Sequence, residues 1–317
     1  MQSTVSTQLR WCKITQSGVL RFDGPDAQSF LQSQLTNNVV AVTAQRSQYT
    51  GYCTPKGRLL ASMLLWQHDG AYYMMLPRAL CEPLRKRLSM YILRAKVKAS
   101  DVSGEQVLFG VAGGDAASIT IVKTLAAAAP AAVYEAVYAN GFTVLKLPVN
   151  RYLIAAPVSE SNRIEATLAA AASSTAETLW SALDIAAGIP IVVAATQEQF
   201  VPQTVNFDLI SAVSFDKGCY PGQEIVARTH YLGKVKQRMV RARVTANAAP
   251  AAGDKLYAEP FGDQACGMIV SAVVGTDATH HDVLAVIQTS NLETANVHWK
   301  TVDGPLLQIE PLPYALT

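Results

Sequence analysis

Apolar positions along the chain switch between two periods, and the switches outline its elements. Val19-Leu20-Arg21-Phe22 alternates as a short strand does, and Gly24-Pro25 ends it. Ala27, Phe30, Leu31 and Leu35 then recur at spacings of three and four, which predicts an amphipathic helix. Residues 47–52 read as a strand leading into the tight turn Thr54-Pro55-Lys56-Gly57-Arg58. The apolar run 59–66 and residues 72–76, joined through His68-Asp69-Gly70, predict an antiparallel hairpin. Leu80, Leu84 and Leu88 mark a helix opened by Pro77. A strand at 107–111, an Ala-rich helix ending at Pro130 and strands at 142–147 and 152–156 follow. A helix at 159–172 carries Ile164 and Leu168 on one face. Ser174-Thr175-Ala176-Glu177 has the form of a capping box. It opens a helix whose stripe is Ala176, Leu179, Trp180 and Leu183, and Gly188-Ile189-Pro190 stops that helix. Residues 197–206 are polar and read as loop.

The pattern then changes. Strands at 234–244, 267–274 and 283–290 and a short one at 305–311 have brief connections and no strong helix among them. This predicts a small C-terminal β-barrel or sandwich of about 80 residues. The chain before it mixes strands and helices without a βαβ phosphate signature, so the fold class is α+β.

Length and composition narrow the class. A chain of 317 residues suggests two or three domains. A formal net charge of +2 does not mark a nucleic-acid binder. The basic run from Arg85 to Lys98 is interleaved with Leu, Tyr and Ile and fits a solvated helix and strand better than an RNA surface. Five cysteines with no CxxC pair argue against a disulfide framework and against a local zinc site, and they fit a reducing cytoplasm. Residues 1–13 lack an apolar signal core, and no apolar run reaches about 20 residues. A soluble cytoplasmic protein is expected.

The densest chemistry lies in Asp216-Lys217-Gly218-Cys219-Tyr220-Pro221-Gly222-Gln223-Glu224-Ile225-Val226-Ala227-Arg228. Cys219 acts as a nucleophile only if its thiolate is favoured, and Lys217, Arg228, His230 or the start of a helix near Glu224 would favour it. The bland alternative is a tight turn relaxed by Gly218 and Gly222, with Lys217 and Glu224 paired at the surface. The Lys56-Gly57-Arg58 turn is a second candidate, for an anion. His280-His281 reads as a solvated turn, without ligands at metal spacing.

Lys217-Gly218-Cys219-Tyr220-Pro221-Gly222-Gln223-Glu224 resembles the signature of the YgfZ-like folate-binding proteins, relatives of the aminomethyltransferase (T-protein) of the glycine cleavage system. The helix with Phe30-Leu31, the stretch Thr54-Pro55-Lys56-Gly57-Arg58-Leu59-Leu60, and the elements Ala187-Gly188-Ile189-Pro190, Val201-Pro202-Gln203-x-x-Asn206 and Tyr231-Leu232-Gly233-Lys234 agree with it. The resemblance implies a three-domain T-protein-like cloverleaf with a small C-terminal β-barrel. The implied domains are 1–50 together with 125–235 for folate, 51–124 as a second α+β domain, and 236–317 as the barrel. It implies tetrahydrofolate or a derivative, bound non-covalently, and support of iron–sulfur proteins such as a tRNA methylthiotransferase. A monomer is expected that acts on tRNA modification indirectly, with no direct tRNA contact, membrane or metal. Cys219 and Lys217 are the candidate catalytic residues. Lys56, Arg58, Tyr220, Gln223, Glu224 and Arg228 are the candidate folate contacts.

The sequence departs from the transferases. Their Asn-x-x-Lys-Asp element corresponds here to Leu76-Pro77-Arg78-Ala79-Leu80-Cys81-Glu82-Pro83, and their Arg-Leu-Glu-Ala-Gly element to Asp184-Ile185-Ala186-Ala187-Gly188. The carboxylate expected at the folate nitrogen is missing, which counts against a working aminomethyltransferase. A folate-binding accessory role in iron–sulfur cluster assembly or repair is the first expectation, and a tetrahydrofolate-dependent aminomethyl- or methyltransferase the second.

Overall fold

A computed structural model describes residues 8–316, apart from 234, 276, 278 and 292–295. Residues 1–7, on which the missing signal core was partly read, and Lys234, read as the first residue of a strand, lie outside the described residues. The chain forms two compact units. Over the described residues the first comprises 8–31, Val39–Gln48 and Leu64–Trp180. The second comprises Gln32–Asn38, Tyr49–Met63 and the chain from Ser181 onward.

In the first unit, one six-stranded sheet runs in the order Ser173–Ser174, Arg10–Ile14, Gln106–Ala112, Arg151–Pro157, Phe142–Leu147, Ala136–Ala139. The helices Asp115–Ala126 and Ser161–Ala171 supply Ile121, Val122, Leu125, Ile164 and Leu168 to a core with Phe109, Val144 and Ile154. Those are the helical faces that spacing predicted, buried because sheet and helix each have one apolar side to hide. In the same unit Ala71–Pro77 pairs with Ser17–Asp23, and residues 64–68 pair with 71–75. The helix Arg78–Ser89 buries Leu80, Cys81, Leu84 and Leu88. The capping box at Ser174 is not formed. Ser173–Ser174 is instead a short strand parallel to Arg10–Trp11, and the Glu177 carboxylate accepts from the backbone N–H groups of Thr15 and Gln16 at 2.9 and 3.0 Å. A long-range strand edge thus takes the side chain that local spacing had assigned to a helix cap.

The second unit carries a six-stranded antiparallel sheet in the order His298–Trp299, Lys255–Tyr257, Gly267–Val274, His280–Gln288, Gln237–Thr245, Leu307–Glu310. Leu307 N donates to Val297 O at 2.8 Å and Trp299 N to Pro305 O at 2.9 Å, so the two edge strands meet and the sheet curls. Its inward residues, among them Val240, Ala242, Val244, Ile269, Val283, Ala285 and Trp299, form a separate core. His281, expected in a solvated turn, is 2 % exposed, and its Nε2 lies 3.0 Å from the Ala246 carbonyl. The strand His280–Gln288 begins three residues earlier than its apolar run, which draws the histidine inside.

Candidate functional site

The motif folds as a loop followed by the helix Gln223–Tyr231. Gly222 caps the helix with φ +82°, a left-handed conformation that costs an L-residue about 1–2 kcal/mol. A Cβ on Gly222 would lie 2.4 Å from the Thr54 carbonyl oxygen and 2.6 Å from Gly57 Cα. Gly57 is itself left-handed, at φ +69°, and a Cβ there would lie 3.0 Å from Ile225 Cβ. The motif turn and the Lys56-Gly57-Arg58 turn therefore touch backbone to backbone, and only glycine allows this at residue 222. Gly218 differs, since nothing lies within 4 Å of a Cβ built there.

Lys217 points inward. It is 8 % exposed, and its ammonium donates to the carbonyls of Gln32 and Leu35, both at 2.5 Å. Its Nζ also lies 4.9 Å from the centroid of the Tyr220 ring. Burial lowers its pKa from 10.5 to about 8. Tyr220 is 6 % exposed, and burial, followed by nearby Cys53, pushes its hydroxyl pKa up. The two residues form an anchored base beneath the loop. The surface pairing of Lys217 with Glu224 is replaced by these carbonyl contacts, and Glu224 is exposed on the first turn of the helix.

Between these anchors Cys219 is exposed, whereas Cys12, Cys53, Cys81 and Cys266 are buried. Burial raises the thiol pKa values of Cys12 and Cys81 to about 11 and pushes that of Cys53 higher still, which keeps all three protonated and inert. Among the described residues Cys219 makes no hydrogen bond or ion pair. It precedes the helix cap by three residues.

Of the other predicted contacts, Gln223 donates weakly to the Lys217 carbonyl at 3.5 Å. Lys56, Arg58 and Arg228 are exposed. The Arg58 guanidinium donates to the Gln199 carbonyl at 2.8 Å. His230, considered as a base, stacks on Phe215 with ring centroids 3.7 Å apart, and Tyr231 meets both rings edge-on. Among the described residues no group of three His, Cys, Asp or Glu side chains is placed to hold a metal ion, and no helix is long and apolar enough to cross a membrane.

Pattern alone missed the frame that holds the motif helix. Gln203 is fully buried, and its Nε2 donates to the Val226 carbonyl at 2.6 Å. Arg238 donates to the Gln203 carbonyl at 2.8 Å and forms a two-pronged pair with Asp208 at 2.8 and 3.0 Å. Asn206, left-handed at φ +61°, donates to the Met239 carbonyl at 2.8 Å. The polar segment 197–206 read as loop is thus two short 3₁₀ turns with buried amides. The one available signal was the Gln203-x-x-Asn206 spacing. Lys236 was also missed. It lines, with Arg58, a cavity of about 310 Å³.

The chain is 31% identical to the tRNA-modifying protein YgfZ of Klebsiella pneumoniae over 297 residues, covering 92% of this chain and 89% of that protein. It is 30% identical to the tRNA-modifying protein YgfZ of Escherichia coli O45:K1, with the same coverage. In structure it resembles the glycine cleavage system aminomethyltransferase T from Bartonella henselae, with a TM-score of 0.74 over 97% of this chain and 86% of that one at 12% identity. That likeness establishes a shared α+β fold with the curled C-terminal sheet. No protein-family model matches the chain.

Proposed function

The chain belongs to the family of the tRNA-modifying protein YgfZ, and from that premise we propose that it is a folate-binding accessory protein of iron–sulfur cluster assembly or repair, acting through that on tRNA modification. The observation that carries this reading is the contrast within the motif. Lys217 and Tyr220 are buried as anchors, Gly222 is locked against Gly57, and Cys219 alone among the cysteines is left in solvent. A frame that rigid around one free thiol suits a group that must meet something outside the protein.

The residues present fit a reduced folate in part. Lys56 and Arg58 are exposed cations on the turn that touches the motif, and they suit the acidic tail. Arg228 and Glu224 extend that polar rim along the helix, and Gln223 holds the loop through the Lys217 carbonyl. Tyr220 acts by position, since its ring is covered. Tetrahydrofolate would supply a reduced pterin able to carry a one-carbon unit. The chain's own residues bind the tail, hold the loop and present the thiol.

The transferase reading is weaker. Glu82, the nearest carboxylate in sequence to the missing element, is held to a pKa of about 2, chiefly by its hydrogen bond to Arg85, with Lys86 3.4 Å away. A carboxylate so paired is a poor proton acceptor near neutral pH.

Two measurements test the proposal. Calorimetric titration with tetrahydrofolate and its formyl derivative is expected to show binding that Lys56→Ala weakens by roughly tenfold. Failure of every folate to bind removes the pocket. In a strain lacking its native family member, the wild-type gene is expected to restore methylthiolated tRNA and Cys219→Ala to restore none. Full restoration by that variant removes the thiol from the mechanism.

A further inference from the structure

Behind the Lys56-Gly57-Arg58 turn lies the cavity of about 310 Å³. It is at the small end of the roughly 300–1,000 Å³ of ordinary ligand pockets, which suits a flexible tail better than a whole fused-ring ligand. Its polar lining is Arg58, Thr204, Thr229, Lys236, Gln237 and Gln288. Two of these are cations and none is an acid, in a chain whose 26 basic and 24 acidic residues nearly balance. The positive lining is therefore local and not a reflection of overall charge.

The lining is held in place by its backbone. Thr54 N donates to the Arg58 carbonyl at 2.8 Å, and the bond to Gln199 fixes the direction of the Arg58 guanidinium. The Lys236 carbonyl accepts from Thr289 N at 2.9 Å and from Thr289 Oγ1 at 3.3 Å. The Lys236 ammonium itself has no ion pair or hydrogen bond among the described residues. Gln237 and Gln288 face each other across the antiparallel ladder, which puts their amides about 5 Å apart at Cβ. The cavity thus combines fixed cations with paired primary amides, which both donate and accept.

We propose that this cavity takes the γ-linked glutamate residues that extend a folate's tail, so that the protein prefers polyglutamylated to monoglutamylated folate. The inference rests on the folate reading above. A γ-glutamyl chain alternates carboxylates with peptide amides, and the lining offers a partner to each: Arg58 and Lys236 to the carboxylates, Gln237 and Gln288 to the amides. A phosphate chain would leave the amide carbonyl oxygens facing anions. The first glutamate stays at Lys56 and Arg58, and the added ones reach Lys236.

Calorimetric titration with tetrahydrofolate carrying one and three glutamates tests this, using the wild type and Lys236→Gln. Lys236 is exposed, so the variant is expected to melt with the wild type. The wild type is expected to bind the triglutamate at least tenfold tighter. In Lys236→Gln that preference falls below threefold while monoglutamate affinity is unchanged. Equal affinity of the wild type for the two forms, or a preference kept by Lys236→Gln, overturns the subsite and leaves folate binding standing. Absence of binding by both forms overturns folate binding and the subsite together. Inorganic tripolyphosphate displacing the triglutamate at lower concentration than free tri-γ-glutamate would assign the cavity to phosphate and also overturn the proposal.

Discussion

Lys217 shows how a single side chain can be misplaced by its neighbours in sequence. Two positions from Cys219, it looks like a cation set to lower a thiol pKa. In the fold its ammonium is sequestered on the carbonyls of Gln32 and Leu35 and over the Tyr220 ring. Its pKa near 8, against 10.5 for a free lysine, makes a pH prediction. Between those two values the unfolded chain binds a proton that the folded one does not, so this group's contribution to stability rises with pH across that window. The buried thiols act in the opposite sense above their free value, because they stay protonated in the fold. The expected observation is therefore a difference. Stability of the wild type minus that of Lys217→Met rises from pH 8 to 10.5, by no more than about 3 kcal/mol. A difference that stays flat in denaturant melts over that range would mean that Lys217 is not depressed.

Among the elements, the two turns at Thr54–Arg58 and Tyr220–Gln223 are informative because glycine is required in one place and dispensable in another. Gly222→Ala adds a Cβ to a left-handed residue 2.4 Å from a carbonyl, and is expected to destabilise by about 2–4 kcal/mol in denaturant unfolding. Gly218→Ala meets open space and should change stability by less than about 0.5 kcal/mol. If both are neutral, the two turns are not packed as described. If Gly218→Ala folds normally yet fails to restore methylthiolated tRNA, the space beside Cys219 is needed by whatever approaches the thiol. The buried Arg238–Asp208 pair has the complementary role of tying the 3₁₀ turns to the strand Gln237–Thr245. Removing one partner of such a pair typically costs 3–5 kcal/mol, because the other charge is stranded.

Taken entire, the chain shares a fold with an aminomethyltransferase while lacking the carboxylate that the transferase sequences carry. A common fold does not transfer chemistry, which resides in particular side chains. Purified protein is expected to release no one-carbon unit from an aminomethylated carrier protein to tetrahydrofolate. Turnover that disappears in Glu82→Gln or Asp184→Asn would reverse this assignment and make the protein a transferase.

Most of the strands and helices were legible from pattern, because the apolar faces of Leu80-Leu84-Leu88 and Ile164-Leu168 depend on neighbours within one or two turns. The motif was legible as dense chemistry and, by resemblance, as a family signature. The same local rules failed at Glu177 and His281, where a distant strand edge and a buried ladder position overrode the spacing. They were also silent on which side chain of the motif faces solvent. That choice rests on contacts between residues 182 and 185 positions apart for Lys217, and on the meeting of Gly222 with Gly57. Periodicity records what a residue needs from its immediate surroundings. The burial of Lys217, the exposure of Cys219 and the pairing of Arg58 with Lys236 around one cavity depend on which distant backbone arrives there, and only the folded chain brings it.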